Sequence, residues 1–131
     1  MLSYLWVGIG GAIGSMLRFW LSGLVAGTRI GEVFPLGTMV INITGSFIIG
    51  IFGAMAGSEG RISPHWRVFI TQLVMVGVCG GYTTFSSFSL QTLNLARDGE
   101  WLYAGLNVIL SIVLCIAGVW LGYALGDSFN R

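Results

Sequence analysis

Long apolar runs separated by short polar breaks occupy nearly the whole chain: roughly Tyr4 to Ala26, Gly37 to Ala56, Val68 to Leu95 and Trp101 to Leu125. About 20 helical residues cross about 30 Å of hydrocarbon, so each run predicts one transmembrane helix and the loops between them are short. Pro35 and Pro64 stand just ahead of the second and third runs, where a helix start tolerates proline. The first run has no basic segment before it and outlasts the core of a signal peptide, so it reads as a retained helix. The third run is overlong. Straight, Val68 to Leu95 would extend about 42 Å at about 1.5 Å per residue, which tilt absorbs only in part. A break at its centre, at Gly80-Gly81, is the simpler expectation. A Gly-kinked helix packed on a neighbour is the competing one.

Around that centre lies Gly80-Gly81-Tyr82-Thr83-Thr84-Phe85-Ser86-Ser87-Phe88-Ser89. Hydroxyls at membrane depth are costly unless protein or a wet cavity faces them. The run therefore marks a tight helix interface or a route for something polar. A broken helix also frees carbonyls and amides, a common way to build ion sites in membranes.

Polar residues on the other runs recur at helical spacing. Thr38, Asn42 and Ser46 follow i, i+4, i+8, as do Tyr103, Asn107 and Ser111, while Ser15, Arg18 and Ser22 share one stripe. Such residues either glue helices together or line a path. One stripe alone reads as glue; three stripes converging on the third run favour a lined path.

Composition supports this picture. Of the 131 residues, 55% are hydrophobic and 8% charged, which excludes an ordinary soluble domain. The net charge of +1 leaves no footprint for nucleic acid. The chain reads as one membrane-embedded domain over residues 1–131. With four crossings, Arg61, Arg67 and Arg131 share one side and Arg29 and Arg97 the other, a balance with almost no positive-inside bias. Insertion both ways up, and an antiparallel dimer, are compatible with it. The five acids, Glu32, Glu59, Asp98, Glu100 and Asp127, all fall at span ends or in loops. A cation carrier or proton-coupled exporter needs an intramembrane carboxylate. Hydroxyl and amide protons suit an anion instead, as do the positive edges of the Phe85 and Phe88 rings. Arg18, inside the first span, either attracts anions at a vestibule or snorkels to the interface.

Taken together, Gly37-Thr38-Met39-Val40-Ile41-Asn42, the run from Gly80 to Ser89, and Tyr103, Asn107 and Ser111 resemble the CrcB/Fluc fluoride-channel family over nearly the whole chain. That resemblance implies an all-α integral membrane protein of four transmembrane helices, the third broken at mid-membrane. It also implies an antiparallel dual-topology homodimer in the cell inner (cytoplasmic) membrane. Two pores per dimer would export fluoride passively. Phe85 and Phe88 would be the pore aromatics and Asn42 an amide donor beside them. Thr38, Tyr103 and Ser111 would extend the polar track, with Asn107 where relatives often carry a small hydroxyl residue. Arg18 matches a vestibule arginine. The backbone carbonyls of Gly80 and Thr83 would hold a structural sodium ion at the dimer interface. Family members commonly carry a glutamate three positions after the second phenylalanine; Gln91 stands there, so a charge-dependent role does not carry over.

Other signals are structural. Cys79 and Cys115 lack histidines at ligand spacing and read as small apolar residues. Gly118, Gly122 and Gly126 predict close helix approach, Trp66 and Trp101 suit interfacial belts, and His65 is a loop residue. No nucleophile–base–acid set points to an enzyme. A small multidrug-type exporter remains a competing class, yet Ser15 and Arg18 stand where its first-span carboxylate would be needed. A non-transporting assembly protein would explain the glycines but not the stripes.

Overall fold

The computed structural model describes residues 1–28, 31, 33–57 and 62–130. Arg29, Glu32, Glu59, Arg61 and Arg131, weighed above in the charge balance, lie outside the described residues. The fold is all-helical: α1 (Leu2–Ala26), α2 (Leu36–Gly57), α3 (Pro64–Phe69), a π-helical segment (Ile70–Cys79), α4 (Gly80–Tyr82), α5 (Phe85–Arg97) and α6 (Trp101–Asn130). Four stretches are long and apolar enough to cross a membrane: Leu2–Ala26, Leu36–Gly57, Pro64–Arg97 and Trp101–Phe129. Their bounds match the four apolar runs to within a few residues, because length and hydropathy are local properties of the chain.

Two helix pairs make the frame. α1 packs on the π-helical segment and α4, while α2 packs along α6 and also touches the π-helical segment. Glycine enables both contacts. A Cβ on Gly14 would meet the Val78 carbonyl and the Tyr82 amide, and one on Gly81 would meet Gly11. On the other pair, Gly122 faces the Phe47 carbonyl and Gly126 the Ile51 carbonyl, the close approach that the four-residue glycine repeat predicts.

The third stretch departs from one sequence expectation. Gly80 is helical (φ −64, ψ −36), and Gly80 and Gly81 both belong to α4. Helical geometry ends at Tyr82. Thr83 (φ −76, ψ 153) and Thr84 (φ −149, ψ 107) are extended, and helix resumes at Phe85. The spacing predicts glycine as the breaker, but at Gly81 it lets α1 come close.

α5 ends in a Schellman turn. Glu100 N–H donates to the Leu95 carbonyl (2.8 Å), Gly99 N–H donates to the Ala96 carbonyl (3.2 Å), and Gly99 adopts φ 84. The turn folds α6 back beside α5. Side chains such as Phe19, Trp20, Ile109, Ile116 and Trp120 are left on the outside. In a membrane those faces meet lipid or another protein rather than water.

Candidate ion pathway

The interruption is held in place by α2. Asn42 Oδ1 accepts the Thr84 N–H at 2.8 Å, and Asn42 Nδ2 donates to the Thr84 carbonyl at 3.2 Å. Thr84 also caps α5: its Oγ1 accepts the Ser87 N–H at 3.2 Å, the usual N-cap to N3 bond. Its hydroxyl further meets Ser86 Oγ at 3.2 Å and Ser87 Oγ at 3.0 Å. Gly45, three residues after Asn42, lets the Thr83 methyl lie against α2, and Thr44 Oγ1 and Tyr82 Oη are 2.9 Å apart.

Those bonds redirect backbone groups. In an uninterrupted helix the Thr84 N–H would close onto the Gly80 carbonyl and the Ser87 N–H onto the Thr83 carbonyl. Asn42 and Thr84 Oγ1 take these donors instead. The carbonyls of Gly80 and Thr83 are thereby released from their helical partners. Neutral, hard oxygens of this kind fit a sodium ion. One chain offers two of them.

Beside the interruption lies a cavity of about 400 Å³. Asn42, Ser46, Phe85, Phe88 and Ser111 line it, together with Gly80, Thr83 and the sulfur-bearing Met75, Cys79 and Cys115. The Phe85 and Phe88 rings lie with centroids 5.3 Å apart and planes tilted by 44°. Phe85 is 77% exposed, so one face of the site stands open. Among the described residues no carboxylate lines the cavity.

The polar stripes divide. Asn42 and Ser46 reach the cavity; Thr38, on the same helix face, is buried elsewhere. Ser111 reaches it, whereas Asn107 stands behind it, 1% exposed. There Asn107 Nδ2 donates to Thr92 Oγ1 at 2.9 Å, and Thr92 Oγ1 donates to the Phe88 carbonyl at 2.8 Å. Ser111 Oγ approaches Asn107 Oδ1 at 3.5 Å, the far end of the same chain of contacts. Tyr103 packs edge-on against Phe34, centroids 6.1 Å apart, and Arg18 is half-buried on α1, which gives no described residue to the lining.

Sequence reasoning passed over Thr84 and Thr92. Thr84 had one signal, a threonine immediately before the helical turn that opens on Phe85, the usual N-cap position. Thr92 had none, because only the neighbouring helix makes it a bridge.

A family model described as "CrcB-like protein, Camphor Resistance (CrcB)" matches residues 5–123. The chain belongs to this family. Curated relatives agree. A protein of Rhodospirillum rubrum named "Fluoride-specific ion channel FluC" is 60% identical, over 99% of this chain and 98% of its own length. Proteins with the same name from Methylocella silvestris and Paramagnetospirillum magneticum are each 51% identical, covering 99% and 100% of this chain and 97% and 100% of theirs. Family membership and four apolar helices together make the chain a multi-pass membrane protein.

Proposed function

We propose that this chain is a fluoride-selective, passive anion channel of the inner membrane. It works as an antiparallel, dual-topology homodimer with two pores. One observation carries the reading. Phe85, Phe88, Asn42, Ser46 and Ser111 line one cavity beside a helix interruption, with no acid among the described lining residues. The relatives' names supply the ion.

The chemistry follows from the lining. Fluoride is small and strongly hydrated, so a selective path has to replace its water with closely placed donors, as filters generally do. Ring edges of Phe85 and Phe88 carry partial positive charge and present no competing acceptor. Ser46 and Ser111 add hydroxyl protons. Asn42 keeps one Nδ2 hydrogen on the Thr84 carbonyl and has a second available to the ion. Thr38, Asn107 and Tyr103 extend or support the polar track, and Arg18 draws anions toward its mouth.

The interruption separates charge as well. The α5 N-terminus, beginning at Phe85, presents unbonded N–H groups and the positive end of its dipole. The carbonyls at the end of α4 form a negative counterpart. Broken membrane helices use these two ends for anions and cations respectively. Gly80 and Thr83 carbonyls from two antiparallel chains would give four ligands for a structural sodium ion on the two-fold axis. An antiparallel partner would also cover the open side of the site, where Phe85 lies exposed.

Proteoliposomes loaded with fluoride or chloride test the proposal. Rapid fluoride efflux without a pH gradient, and without chloride efflux, is the expected result. Efflux that requires a pH gradient indicates a carrier of the multidrug-exporter kind. Vesicles as tight as protein-free ones indicate a non-transporting assembly protein.

A further inference from the structure

Three sulfur-bearing residues line the cavity that holds the aromatic pair. Met75 and Cys79 come from the π-helical segment, four residues apart, and Cys115 comes from α6, one turn beyond Ser111. Both cysteines are free thiols; Cys79 is 3% exposed and Cys115 is half-buried. The remaining polar lining consists of hydroxyls, an amide and backbone carbonyls, which are hard donors.

We propose that Met75, Cys79 and Cys115 form a binding site for soft cations such as Hg²⁺ and Ag⁺, and that occupancy closes the ion pathway. Thiolate and thioether ligands select such metals over hard ones. Charge balance favours them here. Two thiols each release a proton to water and each form one sulfur–mercury bond, so a dithiolate of Hg²⁺ is neutral overall. Silver with one thiolate and the Met75 thioether is neutral too. A neutral complex avoids the cost of leaving net charge in an apolar cavity. No oxidation is involved. Bound metal would stand among residues that also include Phe85, Phe88 and Asn42, on the route an ion takes through the cavity.

The blocking half of this proposal rests on the channel reading; the binding half does not. Purified protein is therefore treated with mercuric chloride and examined by intact mass measurement and thiol titration before any flux is measured. One mercury per chain with both thiols consumed is expected, and Cys115→Ala should leave Cys79 unable to hold mercury through a bridge. Two mercury atoms per chain, one per thiol, would overturn the shared site, as would no uptake. Fluoride efflux from proteoliposomes should then fall to the protein-free rate and return with dithiothreitol, while the efflux rate of a Cys79→Ala, Cys115→Ala double variant, compared with that same variant untreated, is unchanged by mercury. Should the cysteine-free variant not fold, Cys115→Ser alone serves, since its loss of bridging is read by mass. Bridged mercury with unchanged efflux overturns the block. Untreated protein that never conducts refutes the channel reading and leaves the mercury count to decide the site.

Discussion

Asn42 grips Thr84 at both backbone polar groups, accepting its N–H at 2.8 Å and donating to its carbonyl at 3.2 Å. Thr84 is 7% exposed, so few other partners are within reach. Removing the amide with Asn42→Ala orphans the buried Thr84 N–H, at about 1–3 kcal/mol, while the Thr84 carbonyl, at the N-cap, keeps its first helical bond. Asn42→Asp keeps the acceptor but turns an oxygen toward the Thr84 carbonyl and places negative charge beside the anion's route. Both variants should melt earlier in detergent, and Asn42→Asp should lose fluoride efflux entirely. Wild-type melting in Asn42→Ala would show that the clamp does not hold the interruption.

Phe85 and Phe88 act through the charge distribution of their rings. Phe85→Ile and Phe88→Ile keep apolar bulk and remove the positive ring edge. Each should slow or abolish fluoride efflux, while size-exclusion chromatography still shows the assembled protein. Unchanged flux in both would take the rings out of the pathway.

Asn107 joins α6 to α5 through Thr92, which in turn bonds the Phe88 carbonyl. The link is a structural tie of the kind worth about 0.6 to 1.7 kcal/mol in membrane proteins. A double-mutant cycle with Asn107→Val and Thr92→Val should report coupling of that size in unfolding free energy. Additive effects would mean that the contact contributes nothing of its own.

Gly122 lies against the Phe47 carbonyl across the α2–α6 seam. Gly122→Val forces these backbones apart, and overpacking of this sort costs about 1–3 kcal/mol. Gly105, with nothing near its missing Cβ, is the control: Gly105→Ala should be neutral or slightly stabilising. Thermal unfolding in detergent checks both.

Gly99 holds φ 84 in the turn between α5 and α6. Gly99→Ala should cost about 1–2 kcal/mol, since a Cβ is strained in that region. The melting temperature should fall, and efflux from vesicles with matched protein content should persist, because this turn lies away from the cavity lining.

Part of the cavity lining is legible in the sequence, for reasons that differ by residue. Asn42, Phe85, Phe88 and Ser111 stood out because polar or paired aromatic residues in an apolar run need a local cause. Asn107 was grouped with Ser111 by spacing, yet it faces Thr92 rather than the cavity. Gly80 and Gly81 marked the break a few residues early. Glycine weakens a helix and also admits a neighbour, and a linear string does not say which use is made of it.

By itself the sequence determined four membrane spans and an acid-free polar interior, because hydropathy and length act within each segment. Only the tertiary structure decided which polar groups meet the cavity and which fasten helices together. Helical spacing assigns residues to a face, whereas the helix packed against that face settles whether a side chain finds a backbone, a neighbour or open space. Thr84 shows the difference: an ordinary threonine in the string, it becomes the hinge of the site only once α2 brings Asn42 to it.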